Sequence, residues 1–355
     1  MNSKVTMIIP VRSEADKLIR CIRSIQSGTM VPRIIVMDCT ADPETLRKAR
    51  KLFPEVRFFD LGMNPGRAHA VNTGIHITLT PYVMTFSPGL IAGKHCVERL
   101  CGALDEDSGL LSAQAKILSA GDSSRISGAG WRLDLGGNPV IRGAGSRTSQ
   151  YRRRAKITAA QMDAAIYRME YLEVTGILDE RFYTRLEDLD LGYRGLIAGF
   201  KNVCEPAAKC REMESTPANS FYEQLETGNM EYFRYKYGLK GIRLPESKDK
   251  KEDPQRAAAL ERGRMLCFQA EIEQMEKEEL GMSVTKLTLP EEFYMEIRED
   301  GPKGVFPLYV GSKAEESPLQ IPDFLRARAG MLAGAAERAR RLFERRSLQN
   351  GEADI

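Results

Sequence analysis

Short apolar runs alternate with amphipathic stretches over the first quarter of the chain. Residues 5–10 predict a buried strand, and residues 14–27 predict a helix with one apolar face. The alternation continues with strands at Arg33–Met37, Val56–Phe59 and Tyr82–Phe86 and helices at about 43–52 and 66–77. Such alternation indicates a parallel sheet covered on both faces, and these sheets bind ligands at the carboxyl ends of their strands. The sequence therefore predicts an α/β fold with a ligand crevice at one edge of its sheet.

The pattern changes after Lys116. Residues 121–154 are rich in glycine and predict short strands and loops, including a hairpin that turns at residues 136–138. Helices are predicted again at about 169–174, after Asp188 and over 219–237. Aromatic side chains are frequent in the last of these helices, and their helical spacing is more typical of core packing than of a ligand platform.

A charged run bounded by two prolines, at residues 245–254, is typical of a linker. It divides the chain into an α/β domain at residues 1–244 and a mostly helical accessory region at residues 255–355. The accessory region is predicted to contain a helix at about 255–280, a strand-like segment within 284–310 and a basic helix at about 323–348. The basic helix suits two roles, which are contact with a membrane surface and packing against the first domain or a partner protein.

Composition narrows the class of protein. The 355 residues are 42% hydrophobic and 28% charged, which is ordinary for a globular protein, and the net charge of +3 indicates no particular partner. No nucleic-acid-binding motif accompanies the basic residues, so we expect no nucleic-acid partner. The N-terminal apolar run is too short for a secretory signal, and no stretch approaches the roughly twenty apolar residues of a membrane span. Seven cysteines without a Cys-x-x-Cys pair favour a reducing, cytoplasmic location, and only three histidines make a zinc site unexpected.

Three carboxylates crowd into four positions at Glu187, Asp188 and Asp190, just before a helical pattern. Their mutual repulsion needs an answering cation or proton, so the cluster is a candidate for a catalytic base or a cation site. The alternative is a solvated helix start, because acids stabilise a first turn and Asp190 can pair with Arg194.

Two further positions suit a ligand in the predicted crevice. Asp38 closes the second strand, where its carboxylate can accept from a base imide or a ribose hydroxyl, although an Asx-turn or a helix cap explains it equally well. Arg67 follows Gly66 at the start of a helix, and amide groups with a guanidinium at a helix N-terminus suit a diphosphate. The alternative is an ordinary helix start beside an incidental arginine.

The order of these pieces resembles the GT-A nucleotide-sugar fold of glycosyltransferase family 2, and especially its rhamnosyltransferase-like branch. The resemblance covers residues from about 4 to about 240. It rests on ordered segments at Ile8–Glu14, the strand end at Asp38, Asn64–Gly74, Tyr82–Leu100, Ile126–Gly130, Ala164–Arg168, Gly176–Tyr183, Glu187–Leu191 and Gly199–Phe200. The implied architecture is a Rossmann-like GT-A domain with a mainly α C-terminal appendage.

The resemblance implies an inverting transfer, in which an acceptor hydroxyl attacks the anomeric carbon of a UDP- or dTDP-sugar as the nucleoside diphosphate departs. By the family's pattern Asp188 is the base, Glu187 shapes or shares its site, and Asp190 is structural. The pattern also implies nucleotide contacts from Pro10, Arg12, Glu14, Asp38, Arg67 and Ser87. It places Asp163, Ala164 and Arg185 on the acceptor side.

One departure from the family concerns the metal. The family carries Asp-x-Asp, or in this branch Asn-Pro-Asp, after the fourth strand to hold magnesium or manganese on the diphosphate, whereas this chain has Ser87-Pro88-Gly89. Neither Ser87 nor Gly89 supplies the carboxylate that a hard divalent cation prefers. Two explanations stay open. Either Arg67 or arginines within 142–154 neutralise the leaving group without metal, or Asp163 and Glu212 rebuild a cation site.

These features lead to two hypotheses. The first is a transferase that extends a surface glycan or modifies a protein such as flagellin, acting on a glycan, lipid-linked or protein acceptor in the cytoplasm or at the inner membrane face. The second is a non-catalytic GT-A scaffold that binds a nucleotide or a partner protein within a glycan-assembly complex.

Overall fold

A computed structural model describes residues 3–40, 42, 44–133, 138–214 and 220–237, and at residues 220–224 it describes the backbone only. The predicted linker and the whole accessory region, including the basic helix at about 323–348, lie outside these residues. The first two residues of the predicted hairpin turn at 136–138 also lie outside them. Within the described ranges, no helix is both long and apolar enough to cross a bilayer.

The N-terminal part forms the parallel sheet that the alternation predicts. Its strands are β1 (Val5–Val11), β2 (Arg33–Asp38), β3 (Arg57–Asp60) and β4 (Tyr82–Phe86), in the order β4-β1-β2-β3. Helices α1 (Ala15–Gln26), α2 (Arg47–Leu52) and α3 (Arg67–His76) connect them. Helix α2 begins later than predicted because a turn precedes it, in which the Asp42 carboxylate accepts from Glu44 N at 3.0 Å and the Asp42 carbonyl accepts from Thr45 N at 3.1 Å.

The second half of the described chain completes the sheet. Its strands are β5 (Leu90–Ala92), β6 (Leu110–Leu118), β7 (Ile126–Gly128), β8 (Trp131–Leu133), β9 (Pro139–Ile141), β10 (Ala155–Lys156), β11 (Ala164–Arg168) and β12 (Lys201–Glu212). Its helices are α4 (Cys96–Glu106), α5 (Met169–Thr175), α6 (Glu187–Ile197) and α7 (Ser220–Lys236). The main sheet runs β10-β12-β6-β11-β4-β1-β2-β3, with β5 paired to β12 and β7 to β6. Strands β8 and β9 form the predicted hairpin, and α5, α6 and α7 confirm the three later helices.

Strand β11 makes the sheet mixed rather than all parallel. It runs antiparallel to both β4 and β6, so its N-terminal end meets the carboxyl end of β4. Ala164 pairs with Phe86, and Ser87 N donates to the Asp163 carbonyl at 2.8 Å. Residues 163–164 therefore lie at the sheet edge where the predicted crevice opens.

Apolar clusters cover both faces of the sheet, as the continuous apolar strands predict. On β1, the fully buried Met7 and Ile9 belong to the cluster that contains Leu18 of α1. Ile8, which points to the opposite face, belongs to the cluster that contains Val71 of α3. Helices on both faces leave the strand ends, rather than the sheet surface, open to a ligand.

A third apolar cluster joins α6, α7 and the β8–β9 hairpin, and it is largely aromatic. Tyr193 of α6 lies against Phe233 and Tyr237 of α7, with ring centroids 5.5 and 4.4 Å apart. Tyr232 packs against Phe182 with centroids 5.1 Å apart. These contacts confirm the core prediction for the aromatic side chains at positions 232, 233 and 237; those at 221 and 222 lie outside the described side chains.

A buried ion-pair network fastens the end of α7. Lys236 is fully buried, and its Nζ lies 2.9 Å from Asp179 Oδ2 and 2.6 Å from Asp190 Oδ1. Arg194 pairs with the second oxygen of Asp190 at 2.9 Å, as the spacing predicts, and Arg181 pairs with Asp179 at 2.9 Å. Although burial acts to raise it, the charges of Lys236 and Arg181 hold the pKa of Asp179 well below its usual range.

Replacing Lys236 by methionine will lower the free energy of unfolding by about 3 kcal/mol, because two buried carboxylates lose a shared cation. Urea unfolding followed by circular dichroism measures the change. Lys201→Met is the matched control, since Lys201 is half exposed and lies 3.6 Å from Asp107, so its loss will cost less than about 1 kcal/mol. Equal losses in the two variants would contradict a stabilising role for the buried network.

Candidate functional site

The backbone just before α6 is strained. Positive φ angles of 60°, 75° and 68° occur at Tyr183, Arg185 and Leu186, in a region that residues with side chains rarely adopt. Thr184 N donates to the Phe182 carbonyl at 2.6 Å across Tyr183, whose φ of 60° and ψ of −63° define a strained γ-turn. Strain of this kind persists only where the surrounding structure fixes it, and it is concentrated at functional sites.

One amide from α7 holds the strained segment. Asn229 is fully buried, and its Nδ2 donates to the carbonyl oxygens of Phe182, Thr184 and Arg185 at 2.7–2.8 Å. An amide has two N–H groups, so three acceptors share them. The conformation before α6 therefore depends on a side chain more than forty residues later in the chain.

The start of α3 packs against the same segment. Ala68 N donates to the Tyr183 carbonyl at 3.0 Å. Gly66 has a φ of 91°, and a Cβ added there would lie 2.4 Å from the Tyr183 ring, so the approach requires glycine. These contacts place Arg67 beside the first turn of α6.

Arg67 meets three carboxylates. Its Nε lies 3.1 Å from Glu187 Oε1, its Nη2 lies 3.6 Å from Asp188 Oδ2, and its Nη1 lies 3.4 Å from Asp163 Oδ1. The Arg67 side chain is 25% exposed, whereas Glu187 and Asp188 are buried. Residues predicted separately for the nucleotide, the chemistry and the acceptor thus meet at one point.

The two acids at the start of α6 differ in their hydrogen bonds. Asp188 Oδ2 accepts from Met162 N at 3.0 Å, and its Oδ1 accepts from Leu189 N at 2.8 Å. Neither oxygen of Glu187 accepts a hydrogen bond within the described part of the chain, because Arg67 Nε is close enough for an ion pair but is not aligned for a bond. Asp188 is therefore oriented, while Glu187 is held by charge alone.

Burial changes how these groups titrate. It raises the pKa of Glu187 to about 7, and the Asp188 carboxylate adds to the rise while Arg67 opposes it. Burial also raises the pKa of Asp188, against Arg67 and the Met162 amide. The pKa of Arg67 is raised because the three carboxylates outweigh its own burial. The site thus holds a permanent cation, an oriented carboxylate and a second carboxyl group that titrates near neutral pH.

Asp38 is fully buried at the carboxyl end of β2, and residues of the chain already engage its carboxylate. Its Oδ1 accepts from Thr40 N at 3.0 Å and Thr40 Oγ1 at 2.6 Å, and its Oδ2 accepts from Arg50 Nη2 at 2.7 Å. The bond from Thr40 N is the Asx-turn that the sequence offered as an alternative. Its contact with a nucleotide stays a prediction.

The other residues predicted to contact a nucleotide lie along the same edge. Pro10 is the penultimate residue of β1, Arg12 and Glu14 follow that strand on the surface, and Ser87 follows β4. The register of β1 with β2 and β4 brings these strand ends together. We call these strand ends the rim; they lie at the same edge of the sheet as Arg67, and their contact with a nucleotide stays a prediction.

The three residues predicted for the acceptor side differ in what they offer. Asp163 is partly exposed and contacts Arg67. Ala164 is fully buried within β11, so its side chain contributes packing. Arg185 is exposed in the strained segment.

The segment 87–89 lacks the ligands that a divalent cation needs, and its neighbours do not replace them. Glu212 lies beside it because β12 pairs with β5, but Glu212 accepts a hydrogen bond from Ser127 Oγ. Asp163 is paired with Arg67. Among the residues that the structure describes, no group of three or more His, Cys, Asp or Glu side chains comes together to hold a metal. This donor set does not fit a protein-bound magnesium or manganese ion.

Some residues that build the site were absent from the sequence predictions. Asn229 is one, and the signal that could have indicated it is an amide within a helix rich in aromatic residues. Gln114 and Gln161 are others: Gln161 N donates to Gln114 Oε1 at 2.6 Å, and Gln114 Nε2 donates back to Gln161 Oε1 at 3.0 Å. This reciprocal pair fixes the chain just before Met162, whose amide orients Asp188.

The chain matches one family model, and its fold is similar to that of solved structures. Residues 6–174 match the family model described as glycosyl transferase family 2. The structure is similar to that of GalNAc-T7 with UDP, GalNAc and Mn2+, at a TM-score of 0.51 and 13% identity. The similarity covers 72% of this chain and 54% of that chain, so this chain spans about half the length of GalNAc-T7. Similarity also extends to the mannosyltransferase PcManGT from Pyrobaculum calidifontis in complex with GDP-Man and Mn2+, at a TM-score of 0.48 and 14% identity over 75% of this chain and 70% of that chain. No curated protein matches the sequence.

Glu187→Gln will flatten the dependence of stability on pH. Because folding raises the pKa of Glu187 from 4.5 to about 7, the folded state binds more protons between these values, and wild-type stability falls as pH rises through this window. The fall will be roughly 3 kcal/mol, and the glutamine variant will lack most of it. Urea unfolding at intervals from pH 4 to pH 8 measures the slopes. Glu44→Gln, at an exposed position, will keep the wild-type slope, and a slope retained by the Glu187 variant would refute the assignment.

Proposed function

Because residues 6–174 form a glycosyl transferase family 2 domain on a GT-A fold, we propose that this protein transfers a sugar from a nucleotide-diphosphate donor to an acceptor hydroxyl. The observation that carries the proposal is the meeting of Arg67 with Asp163, Glu187 and Asp188 at the carboxyl edge of the sheet. This arrangement supplies an oriented base and a fixed cation in one partly exposed site.

We assign Asp188 as the base. Two backbone amides orient its oxygens, and burial makes its carboxylate more basic than a solvated one. In the proposed step Asp188 takes the proton of the acceptor hydroxyl while that oxygen bonds to the anomeric carbon. The bond from the anomeric carbon to the diphosphate breaks on the opposite side, and the configuration inverts.

Arg67 and Glu187 control the charge that the leaving group meets. The Arg67 guanidinium is exposed enough to reach a diphosphate oxygen, and it remains charged because three carboxylates raise its pKa. When Glu187 is protonated, only two of the three carboxyl groups around Arg67 carry a negative charge. The approach of the anionic donor is then less unfavourable, and Arg67 stabilises the departing diphosphate.

The strand order suggests how the substrates lie. The nucleoside of a UDP- or dTDP-sugar would occupy the ends of β1 and β2 near Asp38, and its diphosphate would reach the end of β4 near Arg67. The acceptor would then approach from the β11 and β6 side. We propose a glycan, lipid-linked or protein acceptor, in surface-glycan or flagellin-type glycosylation in the cytoplasm or at the inner membrane face.

A second candidate function is a non-catalytic scaffold that binds a nucleotide or a partner protein. It is favoured by the segment 87–89, which lacks carboxylates, and by the pairing of both nearby acids, Asp163 and Glu212, with other groups of the chain. Both functions include nucleotide binding, but only the transferase converts a sugar nucleotide to product.

Asp188→Asn will lower the release of nucleoside diphosphate from the preferred sugar nucleotide by roughly 100-fold or more, because it removes the base. Nucleotide affinity, measured by calorimetry, will stay within about twofold of wild type, since the rim near Asp38 is unchanged. Asp16→Asn, at a highly exposed position, is the matched control and will keep the wild-type rate. Nucleotide binding without turnover by wild type, across donors and acceptors, would favour the scaffold.

The Arg67→Gln substitution will lower the transfer rate roughly 100-fold, because it removes a contact that stabilises charge. Chelation by EDTA will lower the transfer rate much less. The physical reason is the poor fit of the described residues to a bound divalent cation. Rates with EDTA, and with manganese restored, measure the difference. A rate that collapses in EDTA, returns with manganese and depends on Glu212 would show that a cation site has been rebuilt.

A further inference from the structure

Four basic residues lie at or near Tyr151, and none of them forms an ion pair with an acid in the part of the chain that the structure describes. Lys116, at 4% exposure, donates from Nζ to the Tyr151 carbonyl at 2.9 Å. The Arg142 guanidinium, in a side chain of 9% exposure, stacks on the Tyr151 ring at 4.6 Å from its centroid. Arg152 follows Tyr151 on the surface, and Lys209 pairs in register with Lys116 across β12 and β6. We call these four basic residues the Tyr151 cluster.

The buried members of the Tyr151 cluster carry charge that no acid among the described residues neutralises. Neither Lys116 nor Arg142 forms an ion pair with an acid in the described ranges, and Arg142 Nε is buried without a hydrogen-bond acceptor. Glu205 of the adjoining strand is itself paired with Arg154 at 2.7 Å. Burial, and then repulsion from Lys209, Arg152 and Arg142, lowers the pKa of Lys116. Buried cations in this state lack a counter-ion.

Two structural links connect the Tyr151 cluster to the proposed base. Lys116 lies two residues beyond Gln114, which pairs with Gln161 just before the Met162 amide that holds Asp188. Arg142 N donates to the Gly130 carbonyl at 2.8 Å, so Arg142 adjoins the β8–β9 hairpin near the same region. In the strand order, β6 and β12 lie on the opposite side of β11 and β4 from Asp38. The cluster is therefore on the acceptor side, away from the nucleoside.

We propose that the Tyr151 cluster binds a phosphate group of the acceptor. Two buried cations at one tyrosine and two exposed cations beside them can surround the oxygens of a phosphate monoester or a diphosphate, and Arg142 Nε has no acceptor among the described residues. The role as an acceptor subsite rests on the proposed transferase function. The capacity to bind phosphate does not depend on it.

Calorimetric titration with inorganic phosphate and with pyrophosphate, in low salt and with saturating UDP, tests the proposal. The double variant Arg152→Gln/Lys209→Gln changes exposed side chains, so it will fold as wild type does, and it will bind both anions about tenfold or more weakly. Its UDP affinity will be unchanged. The control Lys51→Gln/Arg57→Gln removes the same charge at exposed positions elsewhere and will keep wild-type phosphate affinity. Absence of phosphate binding by wild type, or equal weakening in both double variants, would overturn the proposal.

Two competitors distinguish the sources of the phosphate. A short-chain prenyl diphosphate represents a lipid-linked acceptor, and glucose 1-phosphate represents a phosphorylated glycan. One of the two competitors will displace phosphate from wild type more strongly, and the difference will disappear in the Arg152→Gln/Lys209→Gln variant. That competitor identifies whether the phosphate belongs to a lipid or to a glycan. If the protein binds phosphate through the Tyr151 cluster but hydrolyses no sugar nucleotide, the transferase proposal fails and the phosphate-site proposal stands. If the protein turns over a sugar nucleotide but does not bind phosphate, the phosphate-site proposal fails and the transferase proposal stands.

Discussion

The site depends on one guanidinium that balances three carboxylates. Without Arg67, the acids at positions 163, 187 and 188 would lie together in a largely buried place, and each would have to take a proton or move away. The position of Arg67 in turn requires the close approach of Gly66 to Tyr183. Charge balance at this point thus joins the start of α3, the start of β11 and the first turn of α6, which come from distant parts of the chain.

Much of this support comes from beyond the segment that matches the family model. Asn229 fixes the strained backbone before α6, and Lys236 fastens both Asp179 and Asp190, although the family match ends at residue 174. The site proposed around Asp188 therefore belongs to a unit that extends to α7. The segment Ser87-Pro88-Gly89 carries no carboxylate, whereas the acids around Arg67 and their supports are present, so the charge of the described site is balanced by Arg67.

Local patterns predicted the elements of the first 86 residues because short apolar runs alternate there with helical stretches. They did not reveal β6 and β12, since these strands bury polar side chains that satisfy each other, as when Ser112 Oγ donates to Asn202 Oδ1 at 2.7 Å. The acids at 187–188 stood out by composition alone. These acids contact Arg67, and Arg67 contacts Asp163, which is 96 residues away in the chain. Such tertiary contacts cannot be predicted from the local spacing of apolar and polar residues.

The order of strands in space also has a consequence for the growing polypeptide. The sheet β4-β1-β2-β3 can form once residue 86 is available, but β6 lies between β11 and β12, and the latter ends at residue 212. At a synthesis rate of about 5–20 residues per second, one side of β6 waits roughly 5–20 s for its partner on the ribosome. An unpaired strand edge attracts other chains. During this interval the unpaired edge of β6 is open to pairing with a second chain.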